Sequence, residues 1–231
     1  MLIKGLQKTT LLDYPGKVAC TIFTGGCNFR CPFCHNASLV TKIDDNNIPE
    51  EEILSYLSKR KGILDGVCVT GGEPLLQNDI IPFLKKIKDI GLLIKLDTNG
   101  SRPNVLKQII SLGLVDYIAM DIKNSKEKYA LTCGLDDFPD DAETSIDIIM
   151  RSGIPYEFRT TVVKELHDKE DIISIAERIK GTERYFLQGF IDSGDIIDNK
   201  TYSAYTAEEM KEILNDVKKI IPCASLRGID D

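Results

Sequence analysis

The chain has 231 residues, 42% hydrophobic and 28% charged, so it can bury a sizeable core and lies far from disordered composition. Its 29 Lys and Arg against 36 Asp and Glu give a formal charge of −7, which leaves no electrostatic reason for nucleic acid or anionic lipid as a partner. No apolar run reaches the roughly 18 residues of a bilayer span, and the start (Met1-Leu2-Ile3-Lys4-Gly5-Leu6) lacks the apolar core of a signal peptide; no membrane association and a cytoplasmic location are expected.

Residues 1–17 read as an N-terminal extension, followed by a β-rich run that predicts a strand near 18–24 (Val-Ala-Cys-Thr-Ile-Phe-Thr). A helix is predicted at 49–61, where Pro49 and three glutamates make a favourable first turn. From there strands near 66–70, 92–97, 116–122, 156–163 and 184–190 alternate with helices at 78–90, 103–112, 139–152, 168–180 and 206–220, and a short apolar piece follows at 223–227. The last helix opens with Thr206 and Glu209 in capping-box spacing, and Gly91, Gly113, Gly153 and Gly181 stand where helices end in a left-handed residue. Strands alternating with amphipathic helices predict a parallel sheet covered by helices, an α/β fold.

A closed eight-stranded barrel takes about 250 residues. Here residues 1–48 supply a single strand and long loops in this reading, so a partial, open TIM-like (β/α)6 barrel is predicted. No linker or low-complexity tract divides the chain, so 1–231 is expected to form one domain, with the extension (1–17) at one end and a C-terminal helix and short strand at the other.

Seven cysteines are too few, and odd in number, for a disulfide framework. Cys20, Cys68, Cys133 and Cys223 stand alone and read as core or incidental positions. Three crowd into Gly25-Gly26-Cys27-Asn28-Phe29-Arg30-Cys31-Pro32-Phe33-Cys34-His35-Asn36, directly after the first strand, at the end of a barrel where active sites sit. Cys31 to His35 spells a c-type haem attachment pattern, but that chemistry belongs to exported proteins. Zinc with His35 as fourth ligand needs adjacent Cys34 and His35 to face one ion, whereas an extended loop points them apart. A thioredoxin-type pair leaves Cys27 unexplained. The remaining reading is a 4Fe-4S cluster held by three thiolates, with one iron open to an outside ligand.

At this loop the sequence resembles the radical S-adenosylmethionine (SAM) superfamily, with cysteines separated by three and then two residues and the last preceded by an aromatic, here Phe33. Val69-Thr70-Gly71-Gly72-Glu73-Pro74 resembles the superfamily's second motif, implying that Gly71, Gly72, Glu73 and Pro74 form a strand end whose backbone and acid hold the SAM amino group. Asp97-Thr98-Asn99-Gly100 and Met120-Asp121-Ile122-Lys123 close the next strands. Similarity to pyruvate formate-lyase activating enzyme implies that Asp97, Thr98 and Asp121 lie near the SAM carboxylate, where a monovalent cation can join them. It further implies that Lys123 and Arg159 hold SAM, and that His35 and Asn36 lie near adenine. Asn99 is counted with this set, Lys123 and Arg159 with the catalytic residues, and His167 reads as a surface residue at a helix start.

The stretch Gly5 to Lys17 and the run Phe23 to Cys31 are similar to activating proteins of anaerobic ribonucleoside-triphosphate reductase, a glycyl-radical enzyme. In that group an Asp-Gly-Pro-Gly segment lies close to the incoming glycine loop; Asp13-Tyr14-Pro15-Gly16 departs from it by one residue. The resemblance implies reductive cleavage of SAM at a 4Fe-4S cluster, hydrogen abstraction from a partner glycine, and flavodoxin or ferredoxin as electron donor. The alternatives are activation of another glycyl-radical enzyme such as pyruvate formate-lyase, a radical SAM reaction on a small molecule, or an iron-sulfur or zinc protein without enzymatic activity.

Overall fold

The computed structural model describes residues 1–41, 46–137, 140–192, 194, 196–198 and 201–229. Eight strands form one sheet in sequence order: β1 (Ile3–Thr10), β2 (Ala19–Thr24), β3 (Gly66–Gly71), β4 (Leu93–Thr98), β5 (Tyr117–Asp121), β6 (Tyr156–Val162), β7 (Tyr185–Gly189) and β8 (Ser225–Arg227). β1 pairs antiparallel with β2, and every later neighbour pair is parallel. The helices are α1 (Ala37–Thr41), α2 (Glu50–Lys59), α3 (Ile80–Ile90), α4 (Pro103–Ser111), α5 (Lys126–Cys133), α6 (Asp140–Met150), α7 (Lys169–Arg178) and α8 (Ala207–Val217). Strands in consecutive order with helices between them curl into a barrel. Among the described residues β1 and β8 do not pair, so the barrel stays open.

The six predicted βα units are present, and the apolar piece at 223–227 is a seventh parallel strand, β8. Residues 1–17, read as strandless, contain β1. Its Lys4, Gly5, Gln7 and Lys8 hide the strand pattern because most of it is not buried, only Ile3 and Thr10 being so. α1 and α5 were also not anticipated. The predicted helix at 139–152 is observed as Asp140–Met150, and its expected first residue lies outside the described residues. Local signals behave as their chemistry requires. Pro49 precedes three glutamates in α2, Thr206 and Glu209 form a capping box, and Gly91 ends α3 at φ 94°.

Strand alternation divides the molecule into two environments. Val67 and Val69 on β3, Ile94 and Leu96 on β4, and Ile118 and Met120 on β5 belong to the apolar layer shared with Phe83, Leu84 and Ile87 of α3 and Leu106 and Ile109 of α4. Each such side chain, removed from water, contributes about 1.5–3 kcal/mol. The alternate residues point into the barrel and are polar: Thr21, Cys68, Lys95, Asp97, Asp121, Glu157 and Arg159. A barrel filled with apolar layers would be solid; this interior instead leaves a cavity lined by both polar and apolar side chains. Among the described residues no helix is long and apolar enough to cross a membrane.

Candidate active site

The cysteine loop leaves β2 at Thr24 and is tied down on three sides by main-chain hydrogen bonds. Gly26 N–H donates to Leu39 C=O at 2.8 Å, Glu73 N–H donates to Gly26 C=O at 2.8 Å, and Arg30 N–H donates to Cys133 C=O at 2.7 Å. A turn closed by Cys34 N–H on Cys31 C=O at 3.0 Å sets the last two cysteines side by side. Cys27, Cys31 and Cys34 are free thiols on the wall of one cavity of about 410 Å³. Phe33, His35 and Asn36 of the same loop line it, with Gly71 and Gly72 from the end of β3 and Asp97, Thr98 and Asn99 from β4. Asp121 and Lys123 from the end of β5 and Arg159 from β6 complete this wall. The geometry thus assembles the residues singled out in sequence, except Glu73 and Pro74.

Pro74 is buried and opens a 3₁₀ turn over Pro74–Leu76, where its missing N–H costs nothing. Glu73 is 0% exposed, and its carboxylate accepts from Leu75 N–H at 2.9 Å, Thr98 Oγ1 at 2.9 Å and Asn99 N–H at 2.6 Å. With these three bonds it braces the ends of β3 and β4 beside the cavity. Asn99 extends the brace, donating from Nδ2 to Asn28 Oδ1 at 3.1 Å and to Cys27 Sγ at 3.7 Å.

Burial pushes the Glu73 carboxyl up from 4.5 to about 7, against three hydrogen bonds that favour the ionised form. The folded state therefore keeps this proton to higher pH than the unfolded chain. Its contribution to stability is complete below pH 4.5 and is lost as the pH rises to about 7. Glu73→Gln is expected to remove that decline. The Tm of the native protein minus that of the variant, measured from pH 4.5 to 7, should shrink with rising pH; a constant difference would contradict the assignment.

The cavity lining also carries a ladder of buried charges. Lys123 Nζ lies 2.9 Å from Asp121 Oδ2, Arg159 Nε 2.8 Å from Asp121 Oδ1 and Arg159 Nη1 3.1 Å from Asp97 Oδ2, while Lys95 pairs with Asp97. Burial opposes ionisation of both aspartates, yet the cations outweigh it and hold Asp97 and Asp121 below the usual carboxylate range. Lys123 and Arg159 are the cationic side chains that line the cavity, and they are the groups able to meet a carboxylate ligand. The monovalent cation that the resemblance allows would find both aspartates already occupied by Arg159, Lys123 and Lys95. Arg159 is at once a salt-bridge residue and a cavity residue.

Burial pushes Cys27 up to about 11 and also raises Cys34, whereas the Cys133 side chain, hydrogen-bonded to Cys31, holds Cys31 below the ordinary thiol range. The Lys123 charge favours the thiolate form of all three. The donor set fits an iron-sulfur cluster: three unpaired thiols on one wall, with Phe29 N–H donating to Cys27 Sγ at 3.4 Å.

Three positions differ from the sequence reading. His167 is not a surface residue: it is 2% exposed, meets the Phe33 ring edge-on with centroids 6.4 Å apart, and has Nε2 2.7 Å from Lys123 O. Cys68 lines the cavity instead of packing as core, whereas Cys133 packs in the core as expected. Lys95, 2% exposed, escaped notice although its i, i+2 spacing with Asp97 between Ile94 and Leu96 marks a charged inward face. Asp13 reaches the same cavity and accepts a hydrogen bond from Thr21 Oγ1 at 2.5 Å, while Tyr14 beside it is buried against Tyr117.

A model of the radical SAM superfamily matches residues 21–179. With the cysteine loop, the open barrel and the charged wall in place, the chain belongs to the radical SAM superfamily; it is an enzyme whose cofactors are a 4Fe-4S cluster and SAM. A Methanocaldococcus jannaschii protein named "Putative glycyl-radical enzyme activating enzyme MJ1227" is 32% identical, covering 99% of this chain and 97% of its own length. The pyruvate formate-lyase-activating enzyme of Clostridium pasteurianum is 29% identical, covering 77% of this chain and 76% of that protein. The crystal structure of Streptococcus suis SuiB bound to S-adenosylmethionine superposes with a TM-score of 0.66 at 18% identity, over 88% of this chain and 48% of that one. This last likeness shows the shared partial barrel, and the chain spans about half the length of SuiB.

Proposed function

We propose that this protein is an activating enzyme that installs a glycyl radical on anaerobic ribonucleoside-triphosphate reductase. The similarity to the M. jannaschii protein over 99% of this chain carries the activase reading, because it includes β1 and the Asp13 turn as well as the superfamily core. Residues 1–231 act in this reading as one radical SAM domain with its extension, in the cytoplasm, drawing electrons from flavodoxin or ferredoxin. The C. pasteurianum relative supports a second reading, in which the partner is another glycyl-radical enzyme.

In this function Cys27, Cys31 and Cys34 anchor the cluster and leave one iron for SAM. The chemistry these groups supply when bound is one-electron cleavage of SAM followed by hydrogen-atom abstraction. The chain's own residues do the placing. Lys123 and Arg159, fixed by Asp121 and Asp97, receive the SAM carboxylate; Gly71 and Gly72 present bare backbone to its amino group; Phe33, His35 and Asn36 border the adenine. Seating the partner's glycine segment in the barrel mouth would exclude water from the cavity and protect the hydrogen abstraction from solvent. Asp13 lines the same cavity, and in this reading its turn lies near the partner's glycine.

The test mixes anaerobically reconstituted protein, SAM, reductant and the reductase, and records the electron paramagnetic resonance spectrum. A glycyl doublet on the reductase is the expected result. SAM cleavage without a doublet would reject this partner, and substitution of pyruvate formate-lyase in the same assay would then decide the second reading.

A further inference from the structure

His167, in the turn between β6 and α7, is a buried polar residue to which the proposed reaction gives no task. Its main-chain N–H donates to Val163 C=O at 2.9 Å, and its C=O accepts from Tyr205 Oη at 2.7 Å. Val163 N–H donates to Nδ1 at 3.1 Å, so Nδ1 is bare and the ring proton sits on Nε2. That proton is directed at Lys123 C=O, 2.7 Å from Nε2, while the ring is seated edge-on against Phe33. The place of this bond in the fold is specific. Past the end of β5, Ile122 still holds to β6: its N–H donates to Arg159 C=O at 2.8 Å and its C=O accepts from Thr160 Oγ1 at 2.8 Å. The next carbonyl, that of Lys123, is held by His167, and Asn124 Nδ2 donates to Leu166 C=O at 2.9 Å on the same turn. A leucine could fill the space of this imidazole, but it has no donor for the Lys123 carbonyl.

We propose that His167 is a positioning residue for SAM binding: its Nε2–H fixes the main chain of Lys123 so that the ammonium is held ready for the SAM carboxylate. The inference rests on Lys123 meeting that carboxylate, as in the function proposed above, and is independent of which partner is activated. Asp121 steers the head of the lysine, with Oδ2 2.9 Å from Nζ. A salt bridge at the tip of a four-carbon side chain places the charge only when the main chain behind it stays still. His167 supplies that second anchor, so Lys123 is ordered before the nucleotide arrives. Without it, binding must order the backbone of Lys123, which is equivalent to roughly tenfold in a binding constant.

The test compares the wild type with His167→Gln and His167→Asn, each reconstituted anaerobically, assayed for iron and titrated calorimetrically with SAM in the absence of reductant. Glutamine carries its amide N–H where histidine carries Nε2, so His167→Gln should bind SAM nearly as tightly as the wild type. Asparagine ends at the Nδ1 position, where it can accept from Val163 N–H but leaves Lys123 C=O without its donor; His167→Asn should bind roughly tenfold more weakly at full iron content. Equal affinity in all three proteins, or an equal loss in both variants, would reduce His167 to packing and overturn the proposal. The loss must also run through Lys123. Lys123→Met should weaken SAM binding by itself, and adding His167→Asn to it should cost little more, whereas additive losses would overturn the proposal. Native affinity in Lys123→Met would instead remove the assignment of Lys123 to the carboxylate, and the proposal with it. Should the His167 variants fail to load a full cluster, the unloaded wild type decides. The chain has two histidines, and nitrogen-15 NMR of the labelled protein reads the tautomer of each. An Nε2–H ring at His167 supports the proposal, and an Nδ1–H ring overturns it.

Discussion

Cys31→Ala is expected to lose both cluster assembly and SAM cleavage while the barrel stays folded. Cys31 is 7% exposed and sits where the Cys133 contact and the Lys123 charge both favour its thiolate, so no water molecule can readily substitute for it as a ligand. Two remaining thiols cannot hold a cluster that needs three anchors and an open corner. The loop's main-chain ties run through Gly26, Arg30 and Glu73, none of which depends on the lost sulfur. Iron and sulfide content after reconstitution, methionine release from SAM and the far-ultraviolet circular dichroism spectrum check the three parts. Retention of full cleavage would reject Cys31 as a ligand.

Gly72→Ala should be nearly as damaging through geometry alone. A Cβ at residue 72 would lie 2.0 Å from the Gly26 carbonyl oxygen and 2.6 Å from its carbon, so backbone would meet backbone with no flexible side chain to yield. Relief requires the cysteine loop to move away from β3, which breaks the 2.8 Å hydrogen bond from Glu73 N–H to Gly26 C=O. Overpacking of this severity costs about 3 kcal/mol or more. In a chain of this size that lowers Tm by roughly 6–12 °C. Cluster content should fall with it, because Cys27 follows Gly26 directly. A variant with native Tm and full iron content would show that the loops are not locked together at this point.

Much of this architecture was legible because short-range chemistry dictated it. Val67 and Val69 alternate with Cys68 and Thr70, Pro49 and three glutamates start a helix, and Gly91 stops one; each needs only its neighbours to be understood. The cysteine loop was legible for a different reason, since three thiols in eight positions at a strand end have few uses besides holding a metal or cluster. What stayed hidden depends on contacts distant in sequence. β1 has little apolar pattern of its own and is a strand because β2 offers it an edge. His167 precedes Asp168, which caps α7 through Asp171, and that helix-start context masked its burial against Phe33. The hydrogen bonds that Glu73 accepts from Thr98 and Asn99 become visible only once β4 lies beside β3.

One spectrum addresses the root of the account, the iron corner left vacant by three cysteines. The reduced, reconstituted protein is frozen with and without SAM and its cluster signal recorded by electron paramagnetic resonance. Direct binding of SAM to the unique iron should change the g-values of the reduced cluster. A reduced-cluster signal that is the same with saturating SAM as without it would contradict the proposed site.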